Sequence, residues 1–249
     1  MPKQRIWAIA YPIAFGLMIF LNYWSATNVG IVADNNQAII QPAGFAFSIW
    51  GLIYILLFIW IIKRFFDNTW EGSLASRLTF WPILNFLLNG LWIVVFTQQW
   101  LIASTLVIAG LLATLAIMHT LITKGDYNWF DRLPFSIYFA WVTVATIVNV
   151  FAVTASLEVD TILGLGELDW TLIMLAAATL IGSIVAFRYS DWLYPLVILW
   201  PFYGIYVVND SAYSSLNITL LITSIVLVVV AIMTVVKKFR GKQTAQEHL

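Results

Sequence analysis

What limits this chain most is a succession of about eight apolar runs, each close to the roughly 20 residues a helix needs to cross a hydrocarbon layer. They fall at 6–25, 44–62, 78–98, 101–122, 134–156, 170–187, 192–208 and 216–236. Apolar residues make up 62% of the 249 and charged residues only 10%. Such a composition cannot wrap a core in a charged surface, so the solvent has to be lipid. Residues 1–5 and the first run have the charge pattern of a signal peptide. That run is long enough to span and lacks a clear small-x-small cleavage site, so it reads as a retained helix. The seventh run is short, and Pro195 and Pro201 can kink it; neighbouring helices can satisfy the carbonyls that prolines free. The expected fold class is all-α integral membrane, with about eight transmembrane helices.

Charge supports the count. With eight crossings, one side of the membrane receives the N-terminus, the connections near 63–77, 123–133 and 188–191, and the C-terminus. That side holds Lys3, Arg5, Lys63, Arg64, Arg77, Lys124, Arg132, Arg188, Lys237, Lys238, Arg240 and Lys242, all 12 basic residues. The other side carries Asp34, Glu158, Asp160, Glu167, Asp169 and Asp210 with no Lys or Arg. The positive-inside rule then expects a multi-pass protein of the plasma (cytoplasmic) membrane with both termini cytoplasmic. Net charge is zero, and the one basic run is at 237–242, which excludes a nucleic-acid partner. There is no cysteine, hence no disulfide framework and no thiolate metal site.

Tryptophan is abundant, at 13 residues. Trp7, Trp24, Trp70, Trp81, Trp100, Trp129, Trp170 and Trp192 lie at or beyond helix ends, and Trp60 near one, where indoles settle among headgroups. Trp50, Trp92, Trp141 and Trp200 fall inside the runs and need another explanation. Residues 25–43 form the longest outer connection, polar and ending at Pro42, of a length that often serves as a lid or binding element. Residues 157–169 form a second, acidic outer connection and a seam between a front part, 1–157, and a back part of three helices, 158–249.

No Asp, Glu, Lys or Arg occupies the central stretch of any run, which argues against a proton- or sodium-coupled pump. His119, alone near the inner end of the fourth run, reads as a packing residue; no metal site is expected. Catalytic triads, paired carboxylates and phosphate-binding glycine loops are absent from the sequence. What remains are aromatic and amide side chains at helical spacing. Phe47, Trp50 and Tyr54 share one face, Asn85, Asn89, Trp92 and Phe96 a second, and Tyr138, Trp141, Ala145 and Asn149 a third. Three such faces can converge on one aromatic cavity, the usual form of a small-molecule site. Amides also serve as interhelical glue and aromatic stripes also simply pack, so spacing alone leaves both readings open. Ala178, Gly182 and Ala186, by contrast, form a small-xxx-small strip that reads as close packing.

The same residues resemble the translocator protein / tryptophan-rich sensory protein (TspO/MBR) family. The stretch 41–54, from Gln41 and Pro42 through Trp50 to Tyr54, is similar to the family's proline-marked approach to its second helix. Asn89, Trp92 and Phe96 match its Asn-x-x-Trp-x-x-x-Phe pattern on the third. Ala140, Trp141, Ala145, Thr146 and Asn149 match its Ala-Trp and Ala-Thr-x-x-Asn segment on the fifth. The likeness covers roughly 1–157. Gly44 stands where the family usually has another Trp, and 158–249 have no counterpart in its five-helix members. The resemblance thus implies an extended branch, a five-helix bundle plus three C-terminal helices.

It also implies a receptor or sensor that binds tetrapyrroles such as protoporphyrin, or other lipophilic ligands, with no cofactor required. Phe47, Trp50, Tyr54, Asn89, Trp92, Phe96, Tyr138, Trp141, Ala145 and Asn149 would form the pocket. Some family members are associated with light-dependent porphyrin breakdown through two tryptophans, and Trp50 and Trp141 occupy the matching positions. No conventional catalytic residue is expected, so enzymatic activity stays open on that photochemistry alone. With no axial ligand near, a metal-free porphyrin would be held by stacking and amide contacts. Two other readings are an uncoupled carrier of a lipophilic metabolite and an assembly partner of another membrane protein. A homodimer is the oligomer considered.

Overall fold

In a computed structural model, residues 3–66, 74–125, 127–210 and 212–246 are described, the side chains of 3–5, 26–28 and 241–246 excepted. Trp70 of the expected belt, and the side chains of Lys3, Arg5 and Lys242, lie outside that set. The described residues are almost wholly helical: α1 (Lys3–Asn35), a 3-10 turn (Gly44–Ser48), α2 (Ile49–Phe65), α3 (Leu74–Leu78), α4 (Trp81–Thr97), α5 (Leu101–Thr123), α6 (Trp129–Ser156), α7 (Glu167–Tyr189), α8 (Leu193–Asn209) and α9 (Ser214–Gln246). Six of the apolar helices are long enough to cross a membrane, and α4 and α8 are shorter apolar helices of 17 residues. The eight expected runs are all present as helices, and the chain is a multi-pass integral membrane protein of all-α class.

The chain divides into two compact units. The first comprises Met1–Ala38 and Ser48–Glu158. Here α1 packs on α4, α4 on α5, α5 on α6, α6 on α2 and α2 on α1, so five helices close a ring. Glycine permits the closest approach in that ring. A Cβ on Gly90 would come within 2.8 Å of Leu21 Cδ1 and 3.6 Å of the Met18 backbone, so α1 lies directly on α4 there. Across the ring from that contact, the C-terminal end of α2 is tied to the start of α6. Lys63 Nζ and Arg64 Nη2 both bond Asp131 Oδ1, at 2.8 and 3.1 Å.

The second unit comprises Ile39–Phe47 and Val159–Leu249, with α7, α8 and α9 packed on one another. The Ala178, Gly182, Ala186 strip faces its neighbours. A Cβ on Gly182 would meet Ile198 of α8 at 2.8 Å and Leu227 of α9 at 3.1 Å. Pro201 lies within α8, which continues through it as one element. A two-stranded hairpin, β1 (Thr161–Ile162) and β2 (Leu165–Gly166), turns at Gly164, whose φ of +79° suits glycine.

Several boundaries differ from the sequence expectation, each for a local reason. The first helix does not stop at 25; with no proline between residues 25 and 42, it continues to Asn35 and shortens the outer connection to 36–43. The helix expected to begin at Pro134 begins at Trp129, because Asn128 and Asp131 cap each other. Phe130 N donates to Asn128 Oδ1 at 3.1 Å and Asn128 N to Asp131 Oδ2 at 3.2 Å. The second helix starts as a 3-10 turn and becomes α-helical only at Ile49. Trp60, expected at the headgroup level, is fully buried, its ring edge-on to Phe135 at 5.1 Å and 5.9 Å from Tyr11. It follows Leu57 by three residues and Ile53 by seven, which puts it on the inward stripe of Ile49, Ile53 and Leu57.

Candidate functional site

In the five-helix unit the three expected faces meet, and they meet ring against ring. Trp50, the second residue of α2, stands at the centre. Its indole lies 5.6 Å from Tyr54 one turn along, nearly parallel, and 5.8 Å from Trp92 of α4. Two rings of α6 meet it edge to face, Tyr138 at 5.7 Å and Trp141 at 6.1 Å. Trp92 in turn stacks on Phe96 at 5.6 Å. These separations and tilts are those in which aromatic pairs attract. Tyr138, Trp141 and Trp92 are buried, whereas Trp50 and Tyr54 are half-buried.

Amides link the rings into a network. Asn89 Nδ2 donates to the Tyr138 hydroxyl at 2.7 Å. The Tyr54 hydroxyl donates to Asn22 Oδ1 at 2.8 Å, and Asn22 Nδ2 donates to Asn89 Oδ1 at 2.8 Å. On the other side, Trp92 Nε1 donates to Asn149 Oδ1 at 2.9 Å. Asn149 Nδ2 reaches the hydroxyls of Ser104 at 2.9 Å and Thr105 at 2.8 Å on α5. In a medium without water each of these groups would be costly to leave unpaired, and the network pairs them internally.

Not every candidate sits in this cluster. Phe47 stands on the 3-10 turn before α2 and is grouped with the three-helix unit. Asn85 shares the α4 stripe but turns to α5, where its Nδ2 donates to Thr114 Oγ1 at 2.8 Å. Ala145 lies half-buried on α6 between Trp141 and Asn149. His119 is fully buried on α5, its ring 5.7 Å from Phe139. Trp200 is in the other unit, its Nε1 donating to the Ala46 carbonyl at 2.8 Å.

Three participants escaped the sequence reading. Asn22 is the hub between Tyr54 and Asn89, and its signal was visible: an amide within the last turn of the first apolar run. Ser104 and Thr105 near the start of α5 hold Asn149; nothing in an ordinary Ser-Thr pair marks them. Chemically, the assembly offers indole and phenol faces for stacking, hydroxyls and amides at their edges, and a low-dielectric surround. It offers no group placed for acid–base or nucleophilic work among the residues that form it.

Comparison with known proteins gives one match. A family model described as TSPO-like protein matches residues 8–233, from the first turns of α1 into the last helix. The match therefore includes the three C-terminal helices as well as the five-helix ring. No curated protein and no solved structure matches the chain at a significant level.

Proposed function

The chain belongs to the TSPO-like protein family, and from that membership we propose that it is a membrane receptor for a flat lipophilic ligand, a metal-free tetrapyrrole such as protoporphyrin. The observation that carries this reading is the convergence of Trp50, Trp92, Trp141, Tyr54 and Tyr138 from three helices onto one point. A macrocycle has the same planar π-surface as the rings already there. It would replace indole–indole contacts with indole–porphyrin contacts, each aromatic pair contributing about 0.5–1.5 kcal/mol. Because the rings touch one another, the guest must displace one; of the two half-buried rings Tyr54 is tied to Asn22 through its hydroxyl, so Trp50 is the one to yield. Asn89, Asn149 and Tyr138 then hold the remaining walls in place through bonds they already make.

Protoporphyrin titration of the detergent-solubilised chain tests this, with absorbance and tryptophan emission read together, in darkness and in light. Binding quenches the indole emission, and the Trp50→Phe/Trp141→Phe double variant binds about tenfold more weakly, the loss of roughly 1.4 kcal/mol of ring contact. Equal affinity of variant and parent rejects the site. Loss of porphyrin absorbance in the illuminated parent, and its absence in the double variant, would add photochemistry to binding.

A further inference from the structure

Within the five-helix unit, Trp50 occupies the middle of a box made by four other rings. Tyr54 and Trp92 lie nearly parallel to it, at 28° and 31°, and Tyr138 and Trp141 stand across it at 74° and 89°. The four ring centroids are 5.6, 5.8, 5.7 and 6.1 Å from its own. A cation is attracted by an aromatic ring within about 6 Å of the centroid, most strongly by indole. A positive charge set where Trp50 now lies would thus be in reach of four rings at once, two of them indoles. The polar edges of the box are already engaged with their neighbours. The Tyr54 hydroxyl donates to Asn22, Asn89 donates to the Tyr138 hydroxyl, and the Trp92 indole N–H donates to Asn149. A guest with N–H donors would have to break those bonds or stay unpaired, which is costly away from water. A quaternary ammonium group has no donor to satisfy and spreads its charge over its alkyl groups.

Charge along the unit has the matching sign. Trp50 lies in the first turn of α2, Phe96 in the last turn of α4, and Asn149 reaches Ser104 and Thr105 in the first turn of α5. The cluster therefore sits toward the end of the unit where α1 and α6 finish. The charged residues at that end are Asp34 and Glu158, both exposed. The sequence has no Lys or Arg between Arg5 and Lys63, between Arg77 and Lys124, or between Arg132 and Arg188. Lys63 is about 20 Å from Trp50 along α2 by helical rise, and it is already paired with Asp131. A field of one sign raises the local concentration of the opposite ion, here a cation. We propose that the box, vacated by Trp50, is a site for a lipophilic quaternary ammonium ion, with Tyr54, Trp92, Tyr138 and Trp141 as its aromatic walls. This goes beyond the porphyrin reading and shares with it only the displacement of Trp50.

The test titrates the detergent-solubilised full chain with phenyltrimethylammonium and with tert-butylbenzene, its uncharged isostere, and reads binding by calorimetry. The protein is prepared with ordinary tryptophan, with 5-fluorotryptophan and with 5,6,7-trifluorotryptophan. Fluorine withdraws negative charge from the ring face and changes its shape little. Affinity for the cation falls stepwise, about tenfold across the series, while affinity for tert-butylbenzene stays level. Trp50→Ala empties the box, so it binds the cation about tenfold more tightly than the parent, with no ring left to displace. A cation affinity indifferent to fluorination overturns the proposal, and so does an equal weakening of both probes. Weaker cation binding by Trp50→Ala, or no saturable binding by the parent and this variant, overturns it as well. If Trp50→Ala does not fold, the fluorinated series decides by itself. No step uses protoporphyrin, so a chain that takes the cation and not the porphyrin rejects the porphyrin reading alone.

Discussion

Asn22 shows how much of a membrane site can rest on one amide. Its carbonyl oxygen takes the Tyr54 hydroxyl and its amino group the Asn89 oxygen. Asn22→Leu removes both bonds at once, and interhelical bonds of this kind contribute about 0.6–1.7 kcal/mol each. Unfolding in mixed detergent is expected to show a loss of about 1–2 kcal/mol, and the loss should be smaller in a Tyr54→Phe background because the two residues share a bond. The buried tryptophans give a sharper contrast. Among the described residues the Trp60 indole N–H has no acceptor, whereas that of Trp92 donates to Asn149. Trp60→Phe removes a buried unpaired donor along with some ring volume, effects of opposite sign. Trp92→Phe removes a made bond and strands part of Asn149. We expect Trp92→Phe to cost about 1–2 kcal/mol more than Trp60→Phe, measured in the same unfolding assay.

Elements end where local bonding decides, and apolar runs report those ends poorly. Hydropathy begins the fifth run at Pro134, but the Asn128–Asp131 cap starts α6 five residues earlier. The cap residues can be read in the sequence as Asn-x-x-Asp, a weaker pattern than the apolar run that masked it. Asp131 is buried and also accepts from Lys63 and Arg64, so it serves the helix start and the α2–α6 junction together. Asp131→Ala should therefore destabilise by about 3 kcal/mol, well beyond the roughly 1 kcal/mol of a lost cap, because it leaves the half-buried cations without this carboxylate. The matching change Asn128→Ala, which spares the ion pairs, should cost only about 1 kcal/mol. Comparing the two separates the cap from the junction. The α1–α4 contact at Gly90 was not legible at all, since Asn-Gly in an apolar run carries no sign of which helix will lie against it.

At the scale of the molecule, charge is the clearest guide. All 12 Lys and Arg fall on alternate connections and the two ends, and the ion pairs between α2 and α6 join two helix ends that the count assigns to one side. The cysteine-free chain makes the orientation directly testable. Leu163, 89% exposed at the β1–β2 hairpin, and Lys124, just after α5, lie on opposite sides in an eight-span topology. A membrane-impermeant maleimide applied to intact cells should label Leu163→Cys, and should label Lys124→Cys only after permeabilisation. The reverse pattern would invert the protein in its membrane, and labelling of both from outside would remove the eight-span count.

The sequence alone determined that this chain lives in lipid, where its eight apolar helical runs fall and which aromatic faces have the right spacing to meet. Those properties follow from transfer free energy and helical period, which are carried residue by residue along the chain. Only the tertiary structure decided that α1 supplies Asn22 to the ring, that Trp60 faces inward and that residues 39–47 belong with the three C-terminal helices. Each of these depends on which helix comes to lie against which. Helix pairing in lipid is set by close fit at a few small residues such as Gly90 and Gly182, and the fit exists only once both surfaces do.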